Sequence, residues 1–173
     1  MSNDSDNYYL ECNRSVVGEM TALAKFSSWT LVTAATATII IMIIGLFGNA
    51  LTIIALLKCQ RIQNIAAAFI ISLCAADFMF CLLVLPFSAS RFINGDWIYG
   101  KDHFLCTMFP LLRYWNLGVS LLSIAMITIN RFIMITNNSF YVKLYKPLWI
   151  GFMIAFCWVF SFLMQVPTLL GVW

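Results

Sequence analysis

Polar side chains recur at helical spacing within a stretch of this sequence that is otherwise strongly apolar. Between residues 105 and 135 they follow at steps of three, four, three and seven residues, and they are Arg113, Asn116, Ser120, Ser123 and Asn130. These steps place all five on one face of an α-helix. A second apolar stretch, "SLCAADFMF", holds the acid Asp77. Ionisable groups within a membrane usually face a bundle interior or a watery cavity, so both stretches are candidates for a functional site.

A purely structural role is the alternative for part of this stripe. Ser120 and Ser123 alone would be interpreted as small packing residues whose hydroxyls bond to their own helix backbone. The complete stripe, together with the nearby Arg131, contains two arginines and two asparagines and favours a functional face. A helix with one polar stripe is expected at the centre of a bundle, with that stripe turned toward its neighbours.

The composition identifies the elements that must position these residues. Of 173 residues, 62% are hydrophobic and 10% charged, and the mean hydropathy is +0.91. This surplus of apolar residues indicates an all-α membrane protein, a bundle of transmembrane helices, because about 20 apolar residues cross the hydrocarbon. The sequence predicts four transmembrane helices surrounded by lipid. They cover residues 29–57, 65–87, 104–136 and 147–170.

The basic residues predict the orientation. Two loops, at 58–64 and 137–146, are predicted to lie on the inner side. Together with the ends of the adjoining spans they contain five basic residues and no acidic one. The basic residues are Lys58, Arg61, Arg131, Lys143 and Lys146. By the positive-inside rule the tail at 1–28 and the loop at 88–103 lie outside. The tail also holds two glycosylation tripeptides, at Asn3 and Asn13. We therefore predict a multi-pass plasma-membrane protein with an extracellular N-terminus.

The chain is expected to return to the outside at residues 171–173, the start of a second outer loop. Its last residues, "TLLGVW", form no polar cap, which predicts a chain cut short.

Other chemistries are disfavoured by the sequence. It contains no paired carboxylates, no Ser, His and Asp set and no phosphate loop, and His103 is its only histidine, so we expect neither an enzyme nor a metal site. The basic residues are few and divided between both membrane faces, which argues against nucleic-acid binding.

Five short motifs, in order, resemble those of the rhodopsin-like (class A) G-protein-coupled receptors. "GLFGNAL" contains Asn49, "SLCAADF" contains Asp77, and "WIYG" begins at Trp97. Cys106 and Arg131 have the spacing that this family shows between its disulfide cysteine and its inner arginine. Trp158 and Pro167 resemble the tryptophan and proline of the fourth span. The resemblance implies the first four helices of a seven-helix receptor that transmits an extracellular ligand signal to a heterotrimeric G protein.

Two runs narrow the resemblance within the family. The triplet Asn130, Arg131, Phe132 and the run "SFYVKLYKP" resemble the melatonin receptors, whereas "WVFSFLMQVPTLLGVW" resembles the insect Moody and Trapped-in-endoderm orphan group.

The resemblance assigns a polar pocket to four residues of the first three spans, Asp77, Asn49, Asn116 and Ser120. In the family such a pocket holds a sodium ion, and no other cofactor is implied. The alternative is an Asp77 that keeps its proton and is hydrogen-bonded without an ion.

Arg113 stands where the resembling receptors face their ligand cavity, with Tyr114, Phe109 and Leu117 as apolar contacts. An arginine there favours an anionic or lipid-like ligand, because it repels a cationic amine. The alternative is that Arg113 snorkels to the surface or pairs with an acid outside this sequence.

At the inner end the resemblance assigns G-protein coupling to Arg131 and Asn130. The uncharged Asn130 replaces the acid that restrains the arginine in most of the family, which predicts a looser resting state and higher basal activity. The resemblance also implies a disulfide between Cys106 and a cysteine of the second outer loop, beyond the end of this sequence. Cys12 is expected either to substitute for that partner or to stay free. Trp97, Trp158 and Pro167 are expected to be structural.

A different class of protein remains as the alternative. Four spans with outer termini also fit a structural or scaffold membrane protein, or a truncated receptor form that does not signal.

Overall fold

The computed structural model describes residues 26–58, 65–95, 103–137, 139, 141, 144 and 146–169. Within these ranges the chain is helical and contains no strand, which confirms the predicted helix bundle. The elements are α1 (Ser28–Lys58), α2 (Ile65–Met79), a π-helical segment (Phe80–Val84), α3 (Leu85–Asn94), α4 (His103–Thr136), α5 (Pro147–Leu163) and α6 (Val166–Leu169). Below, α1 is the first span, α2 through α3 the second, α4 the third and α5 the fourth.

Three of these helices are long and apolar enough to cross a membrane, namely Ser28–Lys58, Ala66–Asn94 and Met108–Thr136. The fourth is shorter, Leu148–Leu163. It stops because Pro167 lacks an N–H and its ring would clash with the carbonyl of Leu163, four residues earlier. The chain turns at Met164 and Gln165 before α6 begins.

A proline also explains the π-helical segment within the second span. Pro86 follows it and cannot donate a helical hydrogen bond. The N–H of Leu85 instead reaches the carbonyl oxygen of Phe80, five residues back. This wider turn lets the helix continue without a break through a proline. α3 then ends at Asn94, where Gly95 adopts a left-handed conformation with φ 67°.

The second span lies at the centre of the described part of the chain. It packs against α1 on one side and α4 on the other, and α2 also contacts α5. The third span contacts the second and the fourth, while α1 makes its main contacts with the second. Among the described residues the second span thus touches three other spans, whereas the main contacts of the third are with two. That the third span is central to the bundle stays a prediction.

Large apolar side chains cover the outside of the bundle. Ile40, Ile44 and Phe47 of α1 are exposed, and so are Phe152 and Phe156 of α5. A contiguous apolar surface of this kind marks contact with a membrane or a partner. Together with the length of the helices, it supports a multi-pass membrane protein.

Candidate functional site

The polar stripe of α4 is largely buried, as its spacing predicts. Asn116, Ser123 and Asn130 are each at most 2% exposed, and Ser120 is half-buried. Arg113 is exposed. Four members of the stripe therefore face neighbouring helices, while the arginine stands apart from them.

A hydrogen bond joins the second and third spans in the middle of the bundle. The hydroxyl of Ser120 donates to Oδ1 of Asp77 over 2.7 Å. Asp77 is half-buried on α2. A carboxylate that accepts such a bond is partly compensated for leaving water. This contact unites two of the four residues assigned to the polar pocket.

The other two pocket residues make contacts within their own helices. Nδ2 of Asn116 donates to the carbonyl oxygen of Leu112 over 2.8 Å. Asn49 is half-buried, and its Nδ2 lies 4.0 Å from the point where a β-carbon on Gly45 would stand. The oxygens of Asp77 and Ser120 are of the type that hard cations prefer, so this pair fits a sodium ion.

Two thiols flank Asp77 on its own helix. Cys74 and Cys81 are both buried and free, and so is Cys157 of α5. Each is small and apolar enough to pack between helices. Cys81 fits because Gly45 of α1 lacks a side chain: a β-carbon there would stand 2.5 Å from the sulfur. The first two spans therefore approach closely beside Asp77.

Indole groups connect the second, third and fourth spans. Nε1 of Trp158 donates to Oγ of Ser72 over 3.0 Å, and Nε1 of Trp115 donates to the carbonyl oxygen of Trp158 over 3.1 Å. These bonds place Trp158 between two neighbouring spans, and its structural role stays a prediction. The sequence analysis missed Ser72 and Trp115. An indole N–H within an apolar run needs a partner, which was the available signal.

The residues assigned to ligand binding lie on the exposed side of α4. Arg113, Tyr114 and Leu117 are exposed. Phe109 packs edge-on against Phe87 of α3, with ring centroids 6.1 Å apart and planes at 67°. Three of the four residues therefore lie on an exposed surface of α4, and Phe109 is half-buried against α3.

Asn130 and Arg131 are adjacent in sequence but differ in environment. Arg131 is exposed, whereas Asn130 is 1% exposed, and both polar atoms of its amide lack a hydrogen-bond partner among the described residues. Its helix neighbours Met126 and Ile133 pack against a core of Phe69 and Ile150. The amide therefore lies on an apolar face, turned by about 100° from the arginine.

This burial predicts opposite effects for two asparagines of one helix. We expect Asn130→Leu to raise the free energy of unfolding by about 1 kcal/mol, because an unsatisfied buried amide is removed. Asn116→Leu is the matched control and should lower it, since that amide is bonded. The measurement is the temperature at which half of the detergent-solubilised protein loses its monodisperse elution. A loss of stability in Asn130→Leu would mean that its amide has a partner after all.

Several residues singled out from the sequence lie outside the described part of the chain: Asn3, Cys12, Asn13 and Trp97. For Cys106 the structure describes the backbone, which is helical, but not the side chain. Pro167 is half-buried in α6.

The long apolar helices, with a carboxylate and indole contacts between them, define a multi-pass membrane protein. Residues 48–173 match the 7 transmembrane receptor (rhodopsin family), and the chain belongs to this family. It is 57% identical over 148 residues to G-protein coupled receptor moody of Drosophila melanogaster. It is 43% identical over 141 residues to Protein trapped in endoderm-1 of the same species.

These relatives also define how much of a receptor the chain represents. The alignment with moody covers 86% of this chain and 22% of the relative, and that with trapped in endoderm-1 covers 81% and 36%. A more distant relative, Octopamine receptor 1 of Lymnaea stagnalis, is 30% identical over 131 residues, which are 76% of this chain and 20% of the relative. The resemblance to the Moody and Trapped-in-endoderm group is thereby confirmed, and two of these three relatives, moody and Octopamine receptor 1, are named as receptors.

Proposed function

We propose that the natural protein carrying this sequence binds an extracellular ligand and activates a heterotrimeric G protein. The observation that carries the proposal is the bond between Ser120 and Asp77, which places a carboxylate at the contact of two membrane spans. A carboxylate in such a place is costly unless it has a function. The similarity to the relative named G-protein coupled receptor moody supports the same assignment.

The orientation belongs to this proposal. Lys58 ends α1, Arg131 lies near the end of α4 and Lys146 precedes α5, so three cations lie at helix ends predicted to be on one side. Such an excess of cations favours the cytoplasm. The N-terminus is then extracellular, and the plasma membrane is where an external ligand reaches it.

The inner end supplies the contact with the G protein. Arg131 is exposed near the last turns of α4. Its guanidinium carries five donors, which suit the carbonyl oxygens at the end of an incoming helix. Asn130 beside it offers no charge to restrain the arginine, and this is the basis for expecting high basal activity.

The polar pocket supplies the means of regulation. Asp77 and Ser120 would hold a sodium ion through oxygen atoms, with Asn116 and Asn49 nearby on the third and first spans. The ion supplies a positive charge that stabilises the ionised carboxylate between the helices. Its binding favours the arrangement in which Ser120 and Asp77 are close together.

The ligand proposed is anionic or lipid-like. Arg113 is exposed on the same surface of α4 as Tyr114 and Leu117, which combines one cation with apolar contact area. A guanidinium binds carboxylate or phosphate through paired hydrogen bonds. Snorkelling of Arg113 to the membrane surface is the competing explanation.

Sodium titration tests the proposal. In the complete natural protein, reconstituted with purified G protein, we expect sodium chloride to suppress basal nucleotide exchange. In Asp77→Asn this suppression should be lost, because the amide carries no charge for the ion.

Potassium chloride at equal ionic strength is the control, since a larger ion should fit poorly. Equal effects of the two salts in both proteins would contradict the sodium site. Absence of any exchange on every G protein tried would contradict the receptor function itself.

A further inference from the structure

The third span is bonded to two neighbours from widely separated sides. Trp115 donates its indole N–H to the carbonyl oxygen of Trp158 on α5, and Ser120 donates its hydroxyl to Asp77 on α2. Five residues separate the two donors, which corresponds to about 140° around the helix axis and about 7.5 Å along it. Rotation of α4 about its own axis would lengthen at least one of these bonds.

The indole of Trp115 is also held by two aromatic rings. It meets the ring of Trp158 edge-on, with centroids 5.7 Å apart and planes at 83°. It meets the ring of Phe162 in the same manner, at 5.5 Å and 76°. Edge-to-face contacts fix the direction of a ring as well as its position. The N–H of Trp115 is therefore aimed at one carbonyl group of the fourth span.

One turn beyond Trp115, the backbones of α4 and α5 pack closely and support the bond from Trp115 to Trp158. A β-carbon on Gly118 would lie 3.1 Å from both Cβ and Oγ of Ser161. Ser161 is itself buried. Small residues at such a contact let two membrane helices approach closely, as they do here. α4 and α5 therefore have little room to rotate past each other while both contacts persist.

We propose that Trp115 and Ser120 form a rotational lock, a pair of bonds that sets the angle of the third span about its axis. That angle decides which side chains face the polar pocket and which, such as Arg113, face outward. Trp115 is thus a positioning residue that acts through Ser120 and Asn116. The proposal depends on the proposed function only where it links this angle to signalling.

The test uses a thiol on the buried side of α4. Val119 is fully buried, and Val119→Cys places a small reporter there. In the complete natural protein in membranes, a permeant maleimide should modify this thiol about threefold faster when Trp115→Phe is added, the change expected for loss of one interhelical bond in a membrane. Phenylalanine keeps a ring at this position and removes only the N–H. Ser120→Ala should accelerate modification to a similar degree.

Trp149→Phe is the matched control, because it removes an indole N–H from an exposed position of the fourth span. It should leave the modification rate unchanged. The same receptor without Val119→Cys gives the background from native cysteines. Equal rates for Trp115→Phe and Trp149→Phe would overturn the lock. If Trp115→Phe does not accumulate in the membrane, an unchanged rate in Ser120→Ala overturns it instead.

A second measurement separates a positioning role from a merely structural one. The sodium concentration that half-suppresses basal nucleotide exchange should rise about threefold in Trp115→Phe and stay unchanged in Trp149→Phe. An unshifted sodium concentration in Trp115→Phe would overturn the positioning role. Thiol modification requires neither ligand nor G protein. Faster modification without any nucleotide exchange in the wild type would therefore uphold the lock and reject the proposed receptor function.

Discussion

Replacing the half-buried Trp158 by alanine is expected to destabilise the protein by about 3 kcal/mol, the low end of the range for removing an aromatic side chain from a packed core. Two contacts are lost together: the hydrogen bond from its indole to Ser72, and the edge-on packing with Trp115. The Ser72 hydroxyl would also lose its donor. The measurement is the temperature at which the detergent-solubilised protein loses half of its monodisperse elution.

Two further variants make this result specific. Trp158→Phe keeps an aromatic ring and should recover part of the lost stability. Trp149→Ala removes an exposed tryptophan from the same helix and should change the free energy of unfolding by less than about 0.5 kcal/mol. Equal losses in Trp149→Ala and Trp158→Ala would show that helix composition, and not the Ser72 contact, controls stability.

Gly45→Ala is expected to destabilise the protein by about 1–3 kcal/mol, the cost of overpacking a tight contact. A β-carbon at this position would lie 2.5 Å from the sulfur of Cys81, which is nearer than real side chains approach. Cys81 is itself buried between the helices. Either the two helices must separate beside Asp77, or the cysteine must leave its rotamer.

Gly48 provides the control within the same helix. A β-carbon on Gly48 meets nothing within 4 Å, so Gly48→Ala should be neutral or stabilise the helix by up to about 1 kcal/mol. Adding Cys81→Ala to Gly45→Ala removes the clashing sulfur and should restore much of the loss. A double variant no more stable than Gly45→Ala would mean that the contact with Cys81 is not the cause.

The sequence predicted the helical fold because each span contains a long apolar run. Long apolar runs give the helices, and the spacing of Asn116, Ser120, Ser123 and Asn130 gives the buried face of α4. Each of these depends on local periodicity, which a single chain displays directly. The contact of Asp77 with Ser120 could be predicted because the resemblance to the receptor family placed both residues in one pocket.

Contacts that depend on exact distances between helices were not predictable. Gly45 and Gly48 occupy similar places in "GLFGNAL", yet only Gly45 meets a neighbouring side chain. In the sequence Trp115 is one apolar residue among many. Its partner on α5 is a backbone carbonyl group, which every residue has, so the sequence does not indicate this bond. The unpartnered amide of Asn130 likewise follows from packing, since the sequence suggested a group that offers hydrogen bonds.

The π-helical segment at Phe80–Val84 makes the second span a helix with two phases. Its wider turn takes up one residue more than an α-helical turn. Side chains beyond Pro86 are therefore offset by about 100° from the faces that an uninterrupted count from Asp77 would assign. Deleting one residue within the segment would restore the α-helical count and rotate the C-terminal part of the span by that angle, carrying Phe87 away from Phe109.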